Sequence, residues 1–95
     1  MTPDVRRLPR RHADVQLRAE GHKARLVVPG RTTAYALNPT ARAIWELCDG
    51  STTIDEMTDA LCQVFDVARA NAGADVRDVL EGLVAADLID WTSDV

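Results

Sequence analysis

Residue types that could form a catalytic or metal site are few in this chain, and their spacing brings none of them together. The serines Ser51 and Ser93 lie outside any nucleophile motif, and there is no glycine-rich phosphate-binding loop. The histidines His12 and His22 are ten residues apart with no cysteine near either, a spacing that matches no zinc template. The sequence therefore predicts a protein that is not an enzyme and that uses neither a metal nor a cofactor.

Cysteine chemistry is also disfavoured. Cys48 and Cys62 are the only cysteines and form no CxxC pair, which favours buried thiols that pack as small apolar side chains over a disulfide. Cys48 could in principle be a nucleophile, because it lies near the expected end of a helix. That end is the C-terminal one, however, and its negative dipole raises the pKa of a thiol rather than lowering it.

The composition indicates one small domain. The chain has 95 residues, of which 46% are hydrophobic and 27% are charged. It has no apolar run near the roughly 20 residues that span a bilayer, and residues 1–15 lack the apolar centre of a secretory signal. We therefore expect a cytoplasmic location and no membrane partner.

Charge is distributed unevenly between the two halves of the chain. Residues 1–37 contain eight basic and three acidic residues, a net charge of +5, whereas residues 38–95 contain three basic and twelve acidic residues, a net charge of −9. Such an asymmetry bears on the choice of partners, although attraction between the two halves explains it as well.

Alternating apolar and polar residues precede Asn38. This period of two predicts strands over residues 14–19, 22–28 and 32–37. Glu20-Gly21 and Pro29-Gly30 supply the tight turns between them, so the three strands are expected to form an antiparallel meander.

A helical period begins at Asn38, which is a good N-cap followed by Pro39 at the first helical position. Thr53 and Glu56 have the spacing of a capping box and begin a second helix. The strongest helical period covers residues 76–84 and predicts a third helix, with Asp75 as its N-cap and its end near residue 86.

These elements predict an α+β fold in which an N-terminal three-stranded antiparallel sheet is followed by three helices. The same parts make up a winged helix-turn-helix, so we expect a winged helix-turn-helix-like domain. We divide the chain into a flexible N-terminal arm over residues 1–12, a folded domain over residues 13–90 and a C-terminal tail over residues 91–95. The stretch "LIDW" is either a short tail or a strand, and residues 66–74 are either helix or loop.

DNA binding is the first alternative for a winged-helix shape, and it requires a basic helix against the phosphates. The second predicted helix carries Asp55, Glu56 and Asp59 without a basic residue, and the third carries Arg77 against four acidic residues. A duplex would repel both helices, so we expect no nucleic-acid partner.

The third predicted strand, Thr32–Leu37, lies at the edge of the sheet and has no charge after Arg31. An uncharged edge offers unpaired N–H and C=O groups to an added strand. A peptide that pairs there would place its side chains in pockets beside the sheet, with the third helix as the other wall. In the alternatives, the C-terminal tail or a second copy of the chain covers this edge, and the second copy would make the chain a homodimeric structural module.

Several short motifs resemble, in their order and spacing, the PqqD family, also called the RiPP recognition element (RiPP, ribosomally synthesised and post-translationally modified peptide). They lie within residues 13–90 and are Leu37-Asn38, Thr40-Ala41, Ile44-Trp45, the helix end "LCDG", the helix start "TIDE" and the closing "ADLI". Asp87 departs from the pattern, because many members have glycine at that position.

The resemblance implies a non-catalytic peptide chaperone. Members bind the N-terminal leader of a precursor peptide and present it to a modifying enzyme, often a radical SAM protein. The leader adds to the third strand and lies against the third helix, with Arg31, Arg77 and Lys23 here as candidate partners for its acidic residues. The implied peptide-binding residues are Thr32, Thr33, Ala34, Tyr35, Ala36, Leu37, Val76, Arg77, Val79, Leu80 and Leu83.

Overall fold

The computed structural model describes residues 7–21 and 23–93, so what was predicted for residues 1–6, for His22 and for residues 94–95 lies outside the described residues. Within that range the elements, in chain order, are β1 (Arg7–Arg11), β2 (Gln16–Glu20), β3 (Lys23–Val27), β4 (Tyr35–Leu37), α1 (Pro39–Leu47), α2 (Ile54–Val64), α3 (Arg69–Ala85) and β5 (Ile89–Ser93). None of the described helices is both long and apolar enough to cross a membrane.

The strands form two antiparallel sheets, one in the order β2-β3-β4 and the other made of β1 and β5. In the larger sheet Ala24 lies opposite Leu37 and Leu26 lies opposite Tyr35. Ala24, Leu26 and Leu37 are at most 2% exposed and join the helices in one hydrophobic core. The prediction of an α+β fold with a three-stranded antiparallel meander and three helices is thus confirmed, while the likeness to a winged helix stays a prediction.

Local capping fixes the starts of the first two helices, as predicted. Asn38 Oδ1 accepts a hydrogen bond from the backbone N–H of Ala41 at 2.8 Å, and Pro39 occupies the first helical position. Thr53 and Glu56 form the reciprocal capping box, because each side chain accepts a hydrogen bond from the other's backbone N–H at 2.9–3.0 Å.

The third predicted strand is shorter than expected, since only Tyr35–Leu37 is β4. The turn before it is closed by the N–H of Arg31, which donates to Val28 O at 3.0 Å. A ladder continuing from that turn would place Leu26 opposite Thr33, but Leu26 lies opposite Tyr35. Two extra residues must therefore loop out, and residues 32–34 leave the ladder.

The sequence left residues 66–74 open as helix or loop, and the structure shows that α3 begins at Arg69, six residues before the candidate N-cap Asp75. Ala72 is 0% exposed, so the added turns bury an apolar contact on the core side. Arg69 forms ion pairs with Asp55 and Asp59 of α2, which also hold this first turn in place. Tertiary contacts thus replace the missing cap, since Ala68 at the N-cap makes no side-chain hydrogen bond.

The flexible arm was predicted wrongly for residues 7–11, which form β1, and residues 91–93 belong to β5 rather than to a tail. On its other side β1 contacts the segment after α1, where the N–H of Arg11 donates to Cys48 O and the N–H of Gly50 donates to Pro9 O, both at 2.9 Å. The Arg11 guanidinium donates to the backbone oxygen of Trp45 at 3.1 Å and lies 5.9 Å from the centroid of its ring. The negative end of the α1 dipole also favours a cation at this position.

The end of α3 has a backbone conformation that favours glycine, and Asp87 occupies that position. Asp87 has a φ of 59°, in the left-handed region. The N–H of Asp87 donates to Val84 O at 3.0 Å and the N–H of Leu88 donates to Leu83 O at 2.9 Å, which is the hydrogen-bond pattern of a Schellman motif. Glycine enters this conformation without the steric cost that a Cβ imposes.

We predict that Asp87→Gly is more stable than Asp87→Ala by about 1 kcal/mol, because only alanine retains the left-handed penalty. Both substitutions remove the exposed carboxylate that pairs with Arg31, so their difference isolates the backbone conformation. Urea unfolding of the two variants measures it, and equal midpoints would contradict this account of the helix end.

We predict a pH-dependent contribution from the pair formed by His12 and Asp90. His12 Nε2 lies 2.8 Å from Asp90 Oδ2, and this hydrogen bond, helped by the charges of Asp90 and Asp87, raises the pKa of His12 above 6.5. A raised pKa in the folded state stabilises below the unfolded value and loses that effect as the pH rises through the folded value. Asp90→Asn should therefore destabilise most at about pH 5 to 6 and least above about pH 8.

Urea unfolding across that pH range checks the prediction, with His12→Gln as the matched control. Each single substitution removes the titrating interaction, so both variants should show the same flattened pH dependence. An unchanged gap between wild type and Asp90→Asn at every pH would show that the pair does not titrate as proposed.

Candidate functional site

Grooves lie on two sides of α3. An α-helix turns by about 100° per residue, so Val79 and Ala86 share the face of Gly82, whereas Arg77 lies on the far side. The Gly82 face is turned towards β4, because a Cβ added to Gly82 would lie 2.5 Å from Tyr35 Oη. We call the space between β4 and this face the β4 groove.

The β4 groove holds a cavity of about 150 Å³ beside the start of β4. Its floor is apolar and buried, and its mouth is formed by half-buried or exposed residues of the loop before β4. It is lined by Leu26, Val28, Arg31, Thr33, Ala34, Tyr35, Ala86 and Leu88. A space of this size and polarity suits a single apolar side chain.

Arg31 closes one end of this cavity. Its guanidinium donates to Ala86 O at 2.9 Å and to Asp87 O at 3.4 Å, and it pairs with the Asp87 carboxylate at 3.2 Å. The loop before β4 is thereby tied to the last carbonyls of α3, where a cation is favoured. Two walls of the cavity, the loop before β4 and the end of α3, are therefore joined at this point.

A larger cavity of about 370 Å³ lies on the other side of α3, and we call this space the β5 groove. It is lined by Ile54, Arg77, Leu80, Glu81, Val84, Ala85 and Trp91. Within the described chain β5 pairs with β1 alone, so its other edge faces no strand. Val84, at the rim of this cavity, is 41% exposed.

The structure brings some of the sequence-predicted strand residues to the β4 groove. Thr33, Ala34 and Tyr35 line its cavity. Ala36 is exposed on the opposite face of β4, and Leu37 is 2% exposed and belongs to the core. Thr32 is exposed in the loop and does not line either cavity.

The predicted helix residues do not form one wall. Val79 lies on the β4 side and is half-buried, while Arg77 and Leu80 line the β5 groove. Val76 and Leu83 are both 0% exposed and support the helix from within the core. Periodicity selected the apolar residues of α3, and these are mainly the ones that hold the helix against the core.

Sequence reasoning missed five residues of the β4 groove, namely Leu26, Val28, Gly82, Ala86 and Leu88. The signal for Gly82 was a glycine inside a strong helical pattern, which indicates the close approach of another group. Ala86 then follows at the i+4 spacing, on the same face. Leu88 carries no comparable signal, because its position depends on the turn at Asp87.

The candidate partners for acidic peptide residues are also separated. Arg31 lies at the β4 groove, Arg77 lies at the β5 groove, and Lys23 lies at the start of β3 opposite Glu20. Only Arg31 is thus placed beside the cavity of the β4 groove.

Neither the Cys48 thiol nor the neighbouring Asp49 carboxylate is arranged for catalysis. Burial raises the pKa of Cys48 to about 12, and Sγ donates to Ile44 O at 3.3 Å. The backbone N–H of Ser51, 2.9 Å from Asp49 Oδ1, together with the hydroxyl groups of Thr52 and Ser51, lowers the pKa of Asp49. Within the described residues no three His, Cys, Asp or Glu side chains are grouped to hold a metal ion.

Comparison with known proteins identifies one family. The family profile described as "Coenzyme PQQ synthesis protein D (PqqD)" matches residues 24–89, which is more than half of the chain. No curated protein sequence matches the chain significantly.

Two solved structures have the same fold. One is the PqqD truncation of Methylobacterium extorquens PqqCD, described as a functional and stand-alone RiPP recognition element; it is 29% identical, with a TM-score of 0.73, and the match covers 87% of this chain and 88% of that one. The other is TbiB1 in complex with the TbiA(beta) leader peptide, which is 23% identical, with a TM-score of 0.73 and a match covering 85% of this chain and 94% of that one.

We predict that the contact between Gly82 and Tyr35 limits what can stand at this point of α3. Gly73→Ala should stabilise the protein by about 0.5–1 kcal/mol, because a Cβ there lies 3.9 Å from Thr58 and alanine favours the helix. Gly82→Ala gains the same propensity but must displace the Tyr35 hydroxyl, so it should be less stable than Gly73→Ala by about 1 kcal/mol or more.

Thermal or urea unfolding of both variants tests this difference, and Tyr35→Phe provides the rescue. Without the hydroxyl, the nearest atom to the added Cβ is the ring carbon at 3.7 Å, an ordinary contact. Gly82→Ala should then stabilise the Tyr35→Phe background. If Gly82→Ala already stabilises the wild type as much as Gly73→Ala does, the close approach is not a constraint.

Proposed function

The chain belongs to the PqqD family, and on that premise we propose that it binds the leader of a ribosomally synthesised precursor peptide. It presents the precursor to an enzyme that modifies the remaining part of that peptide. The chain itself carries out no chemistry in this proposal. The modifying enzyme is a radical SAM protein or another RiPP maturase.

The observation that carries the proposal is the open edge of β4 beside the cavity of the β4 groove. In the described chain β4 pairs with β3 on one side only. An added peptide strand gains main-chain hydrogen bonds along that edge, and alternate side chains reach the space beside it. Because β4 has only three residues, roughly 10 Å of strand, the cavity must supply part of the affinity.

The leader places one apolar side chain in the cavity lined by Thr33, Ala34 and Tyr35. Removing that side chain from water contributes about 1.5–3 kcal/mol, enough to decide which register of the leader is bound. Of the wall residues suggested by the family resemblance, Val79 lies on this side of α3, whereas Arg77 and Leu80 lie on the other. We therefore assign the helix wall to Val79, Gly82 and Ala86.

Charged residues act at the rim of this site. Arg31 lies beside the cavity and attracts an acidic leader residue, while Lys23 lies farther along β3. Rim contacts of this kind mainly change the association rate and the salt dependence of binding. Double-stranded DNA is a poor alternative ligand, because α2 carries Asp55 and Asp59 and no basic residue of its own, and Arg69 beside them is already paired with both carboxylates.

A synthetic leader from a short precursor gene in the same genomic neighbourhood tests the proposal. Titration into the ¹⁵N-labelled chain should move the amide signals of Tyr35–Leu37, Val79 and Gly82. Changes in amide shifts confined to α2, or to the Arg77 side of α3, would show that the leader binds elsewhere. The same titration with duplex DNA tests the alternative ligand.

We predict that Ala34→Leu weakens binding of that leader at least tenfold, because the added carbons fill the cavity that the apolar side chain of the leader needs. The matched control is Ala19→Leu, which makes the same change at an exposed position of β2, on the far side of β3 from β4. Calorimetric titration of the leader should give the control an affinity within about threefold of wild type. Equal losses in both variants would mean that the cavity does not receive the leader.

A further inference from the structure

We infer that two copies of this chain associate through the far side of α3, with their α3 helices antiparallel about a two-fold axis. The surface in question is made of Ala70, Ala74, Arg77, Glu81 and Val84, and we call it the Arg77 face. It borders the β5 groove and lies on the side of α3 away from the β4 groove. The partner in this inference is a second copy of this chain.

The Arg77 face has the residue spacing of a helix–helix seam. Its members follow one another at intervals of four, three, four and three residues, which keeps them in one row along the helix. All five are exposed, although the seam ends in Val84 and contains two alanines. Small residues in such a row let two helices approach closely.

The order of residues along this face is self-complementary. A two-fold interface requires that if one residue contacts a second, the second contacts the first in return. In an antiparallel pair centred on residue 79, Arg77 meets Glu81 of the second copy, and Ala74 meets Val84 of the second copy. Both pairings require the same centre, so one axis satisfies the charges and the apolar contacts together.

The two charges have no other partner in the described chain. Arg77 and Glu81 are four residues apart on one helix, yet no ion pair joins them, and neither pairs with any other described residue. Arginine before glutamate is the less favourable order for a pair within a helix. A second antiparallel copy supplies each charge with its opposite twice per dimer.

The β5 groove enlarges the surface that such a pair would bury. Ile54, Leu80 and Trp91 form part of a cavity of about 370 Å³ next to the Arg77 face, and Val84 at its rim is 41% exposed. A second copy laid along α3 covers Val84 and this opening. The β4 groove is on the other side of the helix, so association leaves the proposed leader site open.

Sedimentation velocity from about 5 to 500 µM tests the inference, a range chosen for a weak interface of one helix per copy. Wild type should shift from monomer to dimer as its concentration rises. Arg77→Glu and Glu81→Arg should each raise the dissociation constant at least tenfold, because each creates two like-charge contacts per dimer. The double variant Arg77→Glu/Glu81→Arg should return to within about threefold of wild type, because the swapped charges still pair.

Arg18→Glu is the matched control, since it makes the same change of charge on β2, and it should leave the dissociation constant unchanged within about threefold. Far-UV circular dichroism confirms that the variants, all altered at exposed positions, keep their fold. A wild type that stays monomeric over the whole range overturns the inference. So does a double variant that associates no better than the single ones, or a control that weakens association as much as Arg77→Glu does.

Discussion

The rotation of α3 about its own axis is fixed by one row of buried side chains. Ala72, Val76, Leu80 and Leu83 are at most 2% exposed, and together they cover the core side of the helix. Turning α3 by one position would bring charged residues into the core. The free energy lost by burying an unpaired charge exceeds what apolar packing at that position contributes. The Gly82 side must then face β4 and the Arg77 side must face away, so a hydrophobic constraint sets the walls of both grooves.

The elements that local residues specify could be predicted from the sequence, and those that depend on distant contacts could not. Asn38 and the pair of Thr53 and Glu56 act within one turn of helix, so their capping was readable. By contrast, β1 pairs Arg11 with Ile89 across most of the chain, and its three arginines and one proline are typical of an exposed segment. The first turns of α3 depend on the burial of Ala72 and on the ion pairs of Arg69 with α2. No pattern in the neighbouring residues predicts these contacts.

The candidate site was predictable in part for the same reason. Alternation placed Tyr35 at a sheet edge, and that placement needed only the period of a strand. Which side of α3 faces the edge depends on how the helix is rotated in the core, and the apolar period alone does not separate Val79 from Leu80. The one local sign was Gly82, a helix-weakening residue in a strong helix, where space rather than propensity decides the residue type.

The pairing of β1 with β5 places Arg7 opposite Ser93, at the two limits of the described chain. The two ends of the described chain are therefore close in space, although they are its most distant positions in sequence. A unit built in this way can be carried within or beside another polypeptide without being pulled apart, since both connections leave from one place. It also suits circular permutation, in which a short linker joins the old ends and new ends open in the exposed segment between α2 and α3, away from the β4 groove.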